Sequence, residues 1–119
     1  MQEGNYVADG YRIMLNGKPA HGRFDNMDED PIMSKLDEES RSVMESCSKA
    51  AYRFEGGEWR RSFNNCKKFP KGPSMNYKED GEKIMLFGSD GSHENTLFVR
   101  DGGFEEQIGD ALSLFYKKQ

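Results

Sequence analysis

Short apolar and aromatic runs alternate with polar residues along most of this chain, and Gly-containing pairs separate them. The pairs are Asn16-Gly17, Gly56-Gly57, Asp80-Gly81 and Asp90-Gly91. Tight antiparallel turns need positive φ, which Gly and Asn adopt at low cost, so each pair predicts a hairpin end. Residues 6–15 read as one or two strands, and residues 20–24 return beside them. Pro19 then falls near a strand start or on an edge, where its missing N–H does no harm. Residues 52–55 and 58–63 pair across Gly56-Gly57, and residues 75–78 and 83–87 pair across Asp80-Gly81. Residues 96–100 supply a further strand. Residues 67–73 hold two prolines and a glycine and read as a loop.

Two stretches carry helical spacing instead. Ile32, Leu36, Val43, Cys47 and Ala51 fall on one face of a helix over about 31–50. Asp30 suits its N-cap and Pro31 its first position, with a second start available at Asp37. Phe104, Ile108, Ala111, Leu112, Phe115 and Tyr116 form a stripe over about 104–117, and Lys117 and Lys118 suit the C-terminal end of its dipole. The predicted fold class is therefore α+β. It is a single domain over residues 1–119, with room for disorder at residues 1–5. An antiparallel sheet of about five to seven short strands carries the two helices.

Composition sharpens this picture. Apolar residues make up 34% and charged residues 32% of the 119, a poor ratio for a core. Eight Phe, five Tyr and one Trp offset it, because each ring buries more area than an aliphatic side chain. The expectation is a thin core under one sheet face. The net charge of −4 disfavours a dedicated nucleic-acid binder. No apolar run reaches the ~18 residues that span a bilayer, which argues against a membrane partner. The first residues lack a basic stretch followed by an apolar one, so the expected location is cytoplasmic, in a cell or in an infected host cell. In that compartment Cys47 and Cys66 are expected as free thiols.

Four constellations bear on chemistry. From Asp25 to Glu39 there are seven carboxylates and one Lys. Asp28-x-Asp30 opens like a calcium loop, but Ile32 occupies the fifth position and the sixth lacks Gly. Helix capping and a solvated acidic face explain these carboxylates most simply; the sharper reading is that Asp28 and Glu29 meet a basic partner. The second constellation sets Arg60, Arg61, Lys67, Lys68 and Lys71 among Trp59, Phe63, Phe69 and Tyr77. Arg beside aromatics is the chemistry of protein hot spots and of nucleotide stacking. Third, residues 88–93 connect two strands and lack the following helix that a phosphate loop requires. Residues 101–103 do precede the expected second helix, but Glu105 and Glu106 would repel an anion there. Fourth, Cys47, Cys66, His21 and His93 show no zinc spacing. Cys66, beside two lysines, is the thiol with a reason to be reactive.

No catalytic residue, metal site or cofactor is assigned from this pattern. The leading expectation is a small non-enzymatic binding or inhibitory protein, either an adaptor or an inhibitor of virus or mobile-element origin. Another protein would be its partner, engaged through Trp59, Arg60, Arg61, Lys67, Lys68, Phe69 and Lys71, or through Asp28 and Glu29. The alternative is a module that captures a small anionic ligand such as a nucleotide. Nucleic acid ranks below both, and an enzyme comes third.

Overall fold

The computed structural model of the protein describes residues 1–64, 69 and 72–119. Among these described residues nine antiparallel strands join one sheet: β1 (Gly4–Leu15), β2 (Lys18–Arg23), β3 (Ala51–Glu55), β4 (Glu58–Ser62), β5 (Tyr77–Asp80), β6 (Lys83–Phe87), β7 (His93–Arg100), β8 (Gly103–Ile108) and β9 (Leu112–Lys118). One helix, α1 (Glu38–Cys47), and two 3-10 turns, Met27–Glu29 and Met33–Lys35, lie between β2 and β3.

With β2 set aside, the strands follow one another around the sheet as β1, β3, β4, β5, β6, β7, β8, β9 and back to β1. That is an up-and-down barrel, which removes exposed sheet edges by closing on itself. Closure is nearly complete. Between β4 and β5 the seam has one bridge, Glu58 with Asn76. The Trp59 N–H donates to Met75 O at 2.8 Å and the Tyr77 N–H to Gly57 O at 3.1 Å. Glu3 reinforces this end, accepting from the Gly56 and Gly57 amides at 3.1 and 3.0 Å and from the Tyr77 hydroxyl at 2.7 Å.

β1 organises the rest. Its first residues pair with β3 and its last six with β2, while β9 runs along its other edge. The register shifts between Ala8 and Gly10, and the extra residue, Asp9, lets one strand serve both partners. Asn16 and Gly17 both take positive φ, 51° and 77°, at the β1–β2 turn, as the turn pairs predict. Tyr11 lies over its register partner Gly22, where a Cβ would come within 2.1 Å of the hydroxyl. The Tyr11 hydroxyl donates to Asp30 and so ties the hairpin to the segment that follows.

The structure corrects the two-helix, α+β expectation. Residues 104–117 form no helix. They form the β8–β9 hairpin, turned at Gly109 with φ 66°. Phe104, Glu106 and Ile108 alternate inward from β8, paired with Tyr116, Leu114 and Leu112 of β9. Two alternating runs separated by three turn residues reproduce helical spacing by coincidence. The strong β preference of the aromatic and β-branched residues decides between the readings. Residues 101 and 102 are accordingly a hairpin turn, both at positive φ, and Gly103 opens β8. The first helix is shorter than expected. Asp30 caps no helix; its carboxylate accepts from the Ile32 amide at 2.9 Å. The helix begins after Asp37, whose carboxylate accepts from the Ser40 amide at 2.7 Å.

The barrel interior is the core. Tyr6, Tyr52, Phe54, Phe104 and Tyr116 fill it with rings in edge-on and stacked contact, Phe104 and Tyr116 at 4.9 Å. Ile84, Leu86, Leu97 and Leu114 complete it. A barrel of this strand number is just wide enough for such filling. Helix α1 adds Met44 and Cys47 to the core at the end that carries the β8–β9 turn.

Candidate interaction surface

Side chains alternate across the barrel wall, so neighbours in sequence face opposite sides. This divides the basic-aromatic set. Trp59 points inward, buried, with its indole N–H donating to Phe87 O at 2.9 Å across the seam. Arg61 also points inward. Its Nη2 donates to Glu106 Oε1 at 2.7 Å, and its guanidinium lies 4.4 Å from the exposed Phe63 ring. Arg60 points outward, donating to the carbonyls of Trp59 and Gly72. Phe69 lies on the outer wall with its ring 4.4 Å from the guanidinium of Arg53. Lys67, Lys68 and Lys71, together with Cys66, lie outside the described residues. Asp28 and Glu29 are exposed in the first 3-10 turn; Glu29 accepts from the Asn26 side chain at 2.9 Å.

Sequence reading missed two buried carboxylates because it placed them on a helix. Glu106 faces inward and is 3% exposed. It accepts from Arg61, from the Tyr116 hydroxyl at 2.8 Å and from the Tyr52 hydroxyl. Burial, reinforced by the Glu106 carboxylate, pushes both tyrosine hydroxyls well above their ordinary pKa, so they stay protonated donors. Cys47 lies close enough to feel these charges, and burial pushes its thiol up.

Glu105 faces the outer wall, yet it is 2% exposed. Its register partners on either side are Phe98 and Phe115. Arg12 donates to it at 2.8 Å, Ser113 at 2.8 Å, and Arg100 Nε approaches to 3.4 Å. Arg12 lies over the Phe115 ring and Arg100 over the Phe98 ring, each at 5.7 Å. Burial alone would raise the Glu105 carboxyl, but the Ser113 hydroxyl and the two guanidinium groups outweigh it and hold the pKa below the ordinary value. The result is a firm outer patch of two arginines and two phenylalanines.

This patch runs into two clefts at the end of the barrel. Arg12, Gln107, Asp110 and Ser113 line a polar cleft of about 280 Å³. Leu15, Leu36, Val43, Met44 and Leu112 line an apolar cleft of about 240 Å³ between β1, β9 and helix α1. Met14, Ala111 and Leu112 border both. Met14 is 44% exposed, Val43 50%, and Ile108, the register partner of Leu112, 36%.

The described residues hold no group of three or more His, Cys, Asp or Glu side chains placed to share a metal ion. None of the described helices is long and apolar enough to cross a membrane. Comparison with protein-family models, curated proteins and solved structures finds no match.

Proposed function

We propose that the chain is a small non-enzymatic protein that works by contact with another protein, as an inhibitor or adaptor. It meets that partner with the apolar cleft and the arginine-phenylalanine wall beside it. One observation carries this reading. Of five exposed large apolar side chains among the described residues, two, Met14 and Val43, line the apolar cleft, and a third, Ile108, is the register partner of Leu112 in its wall. Contiguous exposed apolar surface with a polar border marks interaction sites. The adjoining Arg12, Arg100, Phe98 and Phe115 have the composition of interface hot spots. An open apolar cleft of this kind suits a large side chain presented by a partner helix.

An enzyme has less support. The Glu105 and Glu106 carboxylates are each taken up by an arginine and by hydroxyl donors. The Cys47 thiol is buried and its pKa is raised.

The test is co-purification from a native extract, with wild-type protein and a Met14→Asp/Val43→Asp variant of unchanged melting temperature. Both residues are exposed, so the variant is expected to fold. The reading expects one dominant protein retained by the wild type and lost by the variant. Equal retention by both would overturn it.

A further inference from the structure

Arg53 and Arg60 are register partners across β3 and β4, so two arginine side chains rise from directly opposite positions on the outer wall. Like charges directly opposite on a sheet cost stability. The barrel's other arginine clusters relieve this cost with buried carboxylates: Arg12 and Arg100 share Glu105, and Arg61 has Glu106. Here the partners are mostly neutral. Arg53 Nε donates to Asn5 Oδ1 at 2.9 Å, and Arg53 makes no ion pair among the described residues. Arg60 donates to the carbonyls of Trp59 at 3.0 Å and Gly72 at 3.2 Å. Its carboxylate neighbour, Glu58, is 3.6 Å away and 39% exposed.

Phe69 lies against the Arg53 guanidinium, a contact that leaves the edge donors of a guanidinium free for an anion. The two arginines border an open cleft of about 340 Å³ with Glu55, Gly56 and Glu58. Glu55 and Glu58 are also register partners, so the cleft is basic at the Arg53–Arg60 rung and acidic at the Gly56 turn.

We propose that Arg53, Arg60 and Phe69 form a binding site for the phosphate group of a small molecule. Two forked guanidinium groups pair with phosphate oxygens through charge-assisted hydrogen bonds, and the bound charge relieves their mutual repulsion. The site shares no residue with the protein-binding rim, so either assignment can fail alone.

The experiment titrates pyrophosphate into the protein at low salt and follows the Arg53 and Arg60 side-chain Nε–H signals by NMR. Saturable shifts of both signals are expected. Arg53→Gln, which keeps a hydrogen-bonding side chain facing Asn5 and removes the like-charge repulsion, should weaken binding about tenfold without lowering the melting temperature. Pyrophosphate that causes no saturable shift, or that binds Arg53→Gln as tightly as wild type, overturns the site. ADP distinguishes the ligand source within the upheld site. Tighter binding of ADP than pyrophosphate, with the gain lost in Phe69→Leu, assigns a nucleotide. Equal binding assigns the phosphate group alone.

Discussion

Glu105 and Glu106 are adjacent in sequence and face opposite sides of one barrel wall, and each ends in a buried carboxylate held by arginine. Glu106 joins β8 to β4 through Arg61 and to β3 through Tyr52, across the barrel interior. Glu105 joins β8 to β1 through Arg12 and to β7 through Arg100, on the outside. Two residues of one strand therefore fix the relative placement of five others, counting Ser113 and Tyr116 on β9.

The inner pair should behave as a unit. Arg61→Ala leaves a buried carboxylate without its cation, which costs about 3 kcal/mol, at the low end for buried pairs because Arg61 is 26% exposed. Most of that loss comes from the stranded charge. Arg61→Ala made in a Glu106→Gln background should therefore cost much less, measured as a coupling energy by urea denaturation of the four proteins. Additive losses would show that the two side chains do not interact.

The outer carboxylate sets an acid limb. Its pKa in the folded protein lies below the ordinary 4.5, so its contribution to stability is present above pH 4.5 and is lost as pH falls through the depressed folded value. Glu105→Gln should be less stable than wild type at pH 7. The gap should close as the pH drops below about 4.5. Urea midpoints of both proteins from pH 7 to pH 2 check this, and a gap that widened on acidification would contradict it.

The β8–β9 hairpin makes a prediction opposite to the helical reading. On a helix, Phe115 lies on the apolar stripe and Leu114 does not. In the hairpin, Leu114 is fully buried and Phe115 half-exposed on the outer wall. Leu114→Ala should cost about 2–5 kcal/mol, and Phe115→Ala distinctly less. Thermal unfolding of the two variants ranks them.

How far the fold was legible follows from the same residues. The turn pairs Asn16-Gly17, Gly56-Gly57 and Asp80-Gly81 all stand at hairpin ends, because positive φ is a local demand that Gly and Asn meet visibly. The 104–117 stretch misled because its two runs are only six and seven residues long, and Gly109 was read through rather than as a turn. That one misreading hid both buried carboxylates and made the sheet look open. It also left Trp59 and Arg61 with no barrel interior to point into. The rim cleft was not legible at all, since Met14, Val43 and Leu112 come together only when β1, α1 and the β8–β9 hairpin are assembled.

Cys47 should be inert while the protein is folded. The thiol is buried at the end of α1 and its pKa is raised by burial, so little thiolate forms. In a Cys66→Ser background, iodoacetamide should modify Cys47 only as fast as the protein unfolds. Rapid labelling of the folded protein would show that the helix end opens to solvent.

The central claim is that a protein partner covers the rim formed by β1, α1 and the β8–β9 turn. Hydrogen exchange of the chain, free and bound to its co-purified partner, tests it most directly. The account predicts new protection concentrated in residues 12–15, 38–47 and 108–114. Protection confined to the β5–β6 hairpin or the β3–β4 hairpin, with the rim exchanging as in the free protein, would contradict it.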